Sequence, residues 1–166
     1  MPFNPTLPND QPDSGQEWRS DRGHWGVCWC AASRIDLTEL VDQLSRRYEV
    51  TQVRPSTAGL GMLAARDSVR NEAFHLGEFS LSTAAVELRR DDGAVARGGA
   101  AILCDDESLA QGIAVLDAVV ANGWEGIDDA VELLRSGQTQ LSQVQATRRQ
   151  IMGVTSVDFS TLDQDS

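Results

Sequence analysis

Apolar positions recur at helical spacing at both ends of the chain and alternate at strand spacing in the middle. Near the start, Trp18, Trp25, Trp29 and Ala32 share one helical stripe. Ser14 and Glu17 have the spacing of a capping box and predict a helix beginning at Ser14, although Gly23 and Gly26 weaken it. Leu37, Leu40, Val41 and Leu44 predict a second helix, with Asp36 as its N-cap. Tyr48 to Val53 reads as a strand that Arg54-Pro55 should end.

Leu60, Met62 and Ala64 then alternate on one strand face. Phe74 and Leu76 occupy even positions but Phe79 and Leu81 odd ones, so the phase flips between them. A turn or bulge at Gly77-Glu78 accounts for the flip. Asp91-Asp92-Gly93 signals a hairpin, with Val95 to Leu103 as the returning strand. Leu109, Ile113, Leu116 and Val120 mark a helix opened by Asp105, Asp106 and Glu107 and closed by Asn122-Gly123. Ile127, Ala130, Val131 and Leu134 begin another helix, with a break expected near Gly137 before Leu141, Val144 and Ile151. Val154 to Leu162 is rich in β-branched and aromatic residues and is expected to pair with a sheet. Helices, then strands joined by short turns, then helices indicate the α+β class: an antiparallel sheet of three to five strands packed with N-terminal and C-terminal helices.

The length of 166 residues suits one domain with its own core, which buries roughly 70% of the unfolded surface at this size. Residues 1–14 carry four of the five prolines and read as a disordered tail; 15–162 form the expected domain, and 163–166 a flexible acidic tail. The net charge of −11, with 14 arginines and no lysine, argues against nucleic acid and anionic membrane as partners. It suits docking on a basic partner, and it removes Schiff-base and P-loop lysines from consideration. No stretch approaches the roughly 18 apolar residues of a membrane span, and the first residues lack the features of a secretory signal. With three cysteines in no regular framework, the chain is expected in the cytoplasm.

The chemistry-bearing residues form no recognisable constellation. His24 and His75 lack regularly spaced companions, and Cys28 and Cys30 would point about 200° apart on a helix, unsuited to one metal. Glu78 follows the bulge glycine, where side chains are re-aimed toward functional sites, though a solvated carboxylate is the plainer reading. Asp117 sits at the margin of an apolar stripe and suits a structural hydrogen bond. Asp158 would project opposite to Val157 and Phe159 in an extended segment. Gly59-x-Gly61 and Gly98-Gly99 are too sparse for a phosphate cradle and read as close strand packing.

Taken in order, several segments resemble the PhnG family of the bacterial carbon–phosphorus lyase system. Arg22-Gly23-His24-Trp25 is similar to the family's Arg-x-x-Trp opening, and Arg54 with Gly59-Leu60-Gly61-Met62 to the stretch before its first hairpin. Phe74-His75-Leu76-Gly77-Glu78 resembles its Phe-Asn-Leu-Gly-Glu segment, followed at the right distance by Ala84-Ala85-Val86. Leu116-Asp117-Ala118 and Thr155-Ser156-Val157-Asp158-Phe159 resemble its Asp-Ala pair and its ending. Departures fall where the family has basic residues or glycines: Ser68-Val69-Arg70-Asn71, Ser82-Thr83, Cys104-Asp105 and Asp163-Gln164-Asp165.

The resemblance implies a non-autonomous subunit that assembles with the H, I and J subunits. With the H, I and L proteins it would support displacement of adenine from MgATP by a phosphonate, MgATP being substrate of the complex and no cofactor being held by this chain. Phe74, Gly77, Glu78, Asp117 and Asp158 are the motif positions it marks as candidates. The alternative is a divergent binding or regulatory module without transferase role.

Overall fold

The computed structural model describes residues 21–154. Seven elements follow in order: α1 (Arg22–Ala31), α2 (Arg34–Arg47), β1 (Glu49–Arg66), β2 (Ala73–Arg89), β3 (Val95–Ile102), α3 (Glu107–Asn122) and α4 (Ile127–Val154). The strands form one antiparallel sheet in the order β1-β2-β3, with helices before and after it, as the α+β expectation required.

The core lies between the sheet and the helices. Ser82, Ala84, Val86 and Leu88 alternate inward along β2 and meet α3, which is buried along almost its whole length. Asp106 caps α3 by accepting from Leu109 N, and Gly123 ends it in the left-handed conformation, so both predicted boundaries hold. Close contact of α3 with the sheet depends on Gly98: a Cβ there would stand 2.0 Å from Ala114 O and 2.5 Å from Ala118 N.

Trp25, Cys28 and Trp29 form the buried stripe of α1. The two indoles meet edge to face at 6.0 Å, and Trp29 Nε1 donates to Ala130 O in α4. These two tryptophans therefore fill the chain's own core; Trp18 and the Ser14–Glu17 capping box lie outside the described residues. Ser33 caps α2 by accepting from Asp36 N, which places Asp36 in the first turn and corrects its assignment as the cap. Tyr48 follows α2, stacks at 5.1 Å on Trp124 and donates to Glu125 O.

Three further expectations are corrected. Pro55 does not end the first strand: β1 continues through it to Arg66, with register shifts between Gln52 and Thr57. β1 is an edge strand among the described residues, and an edge tolerates the missing N–H because one side of its backbone makes no ladder bond. Gly137 does not break α4. It is buried against α1, where a Cβ would stand 1.9 Å from Cys28 O, so the absent side chain lets two helices touch. Val154, expected to open a strand, closes α4; the remainder of that segment lies outside the described residues.

The bulge inferred from the phase flip is present one residue earlier than placed. Leu63 opposes Gly77 and Ala64 opposes His75, leaving Leu76 as the extra residue. Gly77 has φ of +151°, which glycine adopts without strain. Opposite the next inward step, the Phe79 ring lies over Gly61, occupying the space a Cβ would take. Because β3 reaches only Ser82, the far half of the β1–β2 hairpin extends as a two-stranded ribbon.

Candidate functional site

The best-defined polar site joins α1, α3 and the outer edge of β3. Removing the side chain at Gly98 seats α3 on β3, and this places Asp117 beside the outward-facing N–H of Gly99. That N–H donates to Asp117 Oδ2 at 2.9 Å. Arg22, the first residue of α1, closes the arrangement with a bidentate pair: Nε to Oδ1 and Nη2 to Oδ2, both at 2.7 Å. The carboxylate is 9% exposed and the guanidinium 55%. Hydrogen bonding to Asp117 drives the Arg22 pKa still higher, against a smaller opposing effect of burial.

A cavity of about 350 Å³ opens beside this pair, walled by Arg22, Trp25, Trp29, Ala101, Ile113 and Asp117. An anion entering it would compete with Asp117 for the guanidinium. The geometry therefore favours a structural tie over phosphate capture, in line with the hydrogen-bonding role expected of Asp117. A second concavity, of about 430 Å³, lies between α2 and α4. Asp36, Glu39, Asp129 and Glu132 rim it above Leu40 and Leu133, with no basic residue in its lining. Its field repels phosphonates and nucleotides alike.

The other predicted positions stand elsewhere. Phe74, Gly77 and Glu78 lie on the exposed ribbon, paired with Ala65, Leu63 and Met62 respectively. Asp117 contacts Gly99, whose β2 partner is Ala85, seven residues from Glu78 and roughly 23 Å along the strand. The structure thus does not bring Glu78 and Asp117 into one site, and Asp158 lies outside the described residues. His24 and His75 are both exposed and sit on different elements. Cys28 is buried and Cys30 exposed, as their offset around α1 requires. Among the described residues no three His, Cys, Asp or Glu side chains are grouped so as to hold a metal ion.

The model of the family described as phosphonate metabolism protein PhnG matches residues 20–164. The chain belongs to the PhnG family. No curated protein matches it. Membership places this PhnG-family chain in phosphonate metabolism. No helix among its described residues is long and apolar enough to cross a membrane.

Two features of this PhnG-family chain escaped the sequence. Arg22 and Asp117 each stand out singly in the sequence, but their pairing across 95 residues is visible only in the fold. Ser82 is fully buried; its hydroxyl donates to Cys104 O at 2.7 Å and accepts from Asp106 N at 2.9 Å, fixing the turn that delivers the cap of α3. An inward-facing serine on an otherwise apolar strand face was the available signal.

Proposed function

We propose that this chain is a non-autonomous subunit of the carbon–phosphorus lyase core complex in organic phosphonate catabolism. It supports transfer of the ribose triphosphate moiety of MgATP to a phosphonate with release of adenine. Its partners are subunits of the H, I, J and L types, met in the cytoplasm. Family membership over residues 20–164 carries the reading. The described residues agree with a supporting role: the buried carboxylate is already satisfied, and the larger concavity is acidic. Phe74, Gly77 and Glu78 are then positions offered to partners, and Asp117 holds the body that presents them. Co-purification of the tagged chain with the other subunits tests the proposal, together with adenine release from MgATP and a phosphonate by the complex with and without this chain. A complex that assembles and releases adenine equally well without it overturns the reading.

A second reading rests on the departures from the family pattern. At the ribbon tip Ser68-Val69-Arg70-Asn71 replaces a glycine-rich turn, and Asn71 takes the positive φ of 57° there. A divergent binding module would keep the fold and lose the transferase contacts. Calorimetry of the isolated chain with phosphonates and nucleotides separates the two, since only the module binds alone.

A further inference from the structure

From the point where β3 ends, the β1–β2 ribbon runs on for nine β2 residues, Ala73 to Leu81, or roughly 30 Å. A two-stranded ribbon is marginal in water unless a third strand or a helix covers it. At its base Ala58 N is held by Glu107 Oε1. Beyond that, no element among the described residues covers either face. Leu60 is 72% exposed and Met62 57% on the face that continues the core side; Leu63 is 51% and Phe74 46% on the other. Leu76, in the bulge, is 61% exposed. Residues 57–65 contain no charge, and Arg54 and Arg66 flank them as charged gatekeepers do at segments that would otherwise self-pair.

The charge distribution identifies the occupant. Residues 54–81 hold three arginines (54, 66, 70) and three carboxylates (67, 72, 78), so they are neutral, and the whole −11 belongs to the rest of the chain. A second copy seated on the ribbon would bring two strongly acidic bodies together. A different protein with an apolar cleft set in basic surface would receive the arm and attract the body. We propose that the ribbon is a docking arm that inserts into such a cleft on a sister subunit, an inference that rests on the subunit reading above.

The test is hydrogen–deuterium exchange on the wild-type chain, free and in complex with the co-expressed subunits, alongside Leu60→Asp and Met62→Asp. The expected result is rapid exchange over 57–81 in the free chain and strong protection in the complex. The two variants should show unchanged melting and assembly weakened at least about 30-fold, the size of a hot-spot loss. If the wild type assembles while the ribbon stays unprotected and the variants assemble normally, the arm is refuted and the subunit reading survives. If the wild type fails to assemble with any of the subunits, both fall. Ribbon protection in the free chain also refutes the arm; sedimentation then separates self-association from coverage by residues 1–20 or 155–166.

Discussion

Truncating Asp117 to alanine removes three hydrogen bonds, but its partners do not lose equally. Arg22 is 55% exposed and returns to water, so the solvent-screened pair contributes about 1 kcal/mol. The Gly99 N–H loses a charged acceptor that is itself 9% exposed, and such a bond contributes about 1.5–3 kcal/mol. Asp117→Ala should therefore cost about 3 kcal/mol and lower Tm by roughly 6–12 °C at this chain length. Arg22→Ala should cost about 1 kcal/mol. In the double variant Arg22 has no partner left to lose, so its stability should equal that of Asp117→Ala alone. Urea denaturation followed by tryptophan fluorescence measures all three, because Trp25 and Trp29 wall the same cavity. Two equal single variants, each matching the double, would refute the claim that the Gly99 amide dominates. Strict additivity would refute the ion pair. Amide exchange at Gly99 provides a local check, quickening in Asp117→Ala far more than in Arg22→Ala.

Other expectations follow from close approaches and from one thiol. Gly98→Ala and Gly137→Ala each drive a Cβ to about 2 Å from a backbone oxygen, so each should cost at least the 1–3 kcal/mol typical of overpacking; an unchanged Tm in either would contradict the packing described. Gly77→Ala must adopt φ of +151°, at a cost of about 1–3 kcal/mol, and should speed amide exchange along the ribbon while leaving the body's exchange unaltered. Cys30 is exposed as a residue, yet partial burial of its thiol raises its pKa from 9.0 to about 11; Cys104 adds to this, Arg34 opposes it, and Asp106 adds a smaller part. Iodoacetamide should therefore alkylate Cys30 more slowly in the folded than in the urea-unfolded chain at pH 8–9, with the folded rate still climbing toward pH 11. Because the folded pKa is raised, the neutral thiol's contribution to stability is whole below pH 9 and is lost as the pH rises through 11.

Signals confined to a few neighbouring residues were legible. The α3 caps, the Asp91–Gly93 hairpin and the bulge beside Gly77 each depend on local backbone conformation, and the sequence placed all three within a residue. What failed depends on partners remote in sequence. Pro55 ends a strand only if its N–H is needed, and which edge of β1 goes unpaired is decided by β2 and β3. Gly137 looks like a breaker until α1 is laid against it, because its reason is Cys28 O, 109 positions away. Asp36 and Ser33 both suit an N-cap, and the choice turned on where the preceding helix stopped. The Arg22–Asp117–Gly99 tie needed three elements in place before any of its members had a role.

The positions that resemble the family's motifs divide by what folding asks of them. Arg22, Trp25 and Asp117 have reasons within the chain: an ion pair, an edge-to-face indole contact and a capped strand edge. Phe74, Leu76 and Glu78 have none of this kind among the described residues, where all three are exposed on the arm. An exposed phenylalanine or leucine gains nothing from burial in the free chain and adds a liability to self-association. Its place in a neutral segment of an otherwise acidic protein is accounted for once a second surface buries it. The packing of the body and the bareness of the ribbon are thus two parts of one design: α3 and β3, tied together through Asp117 and Gly99, support β2 and β1 at their base, and that support lets eight residue pairs beyond Ser82 be presented in register.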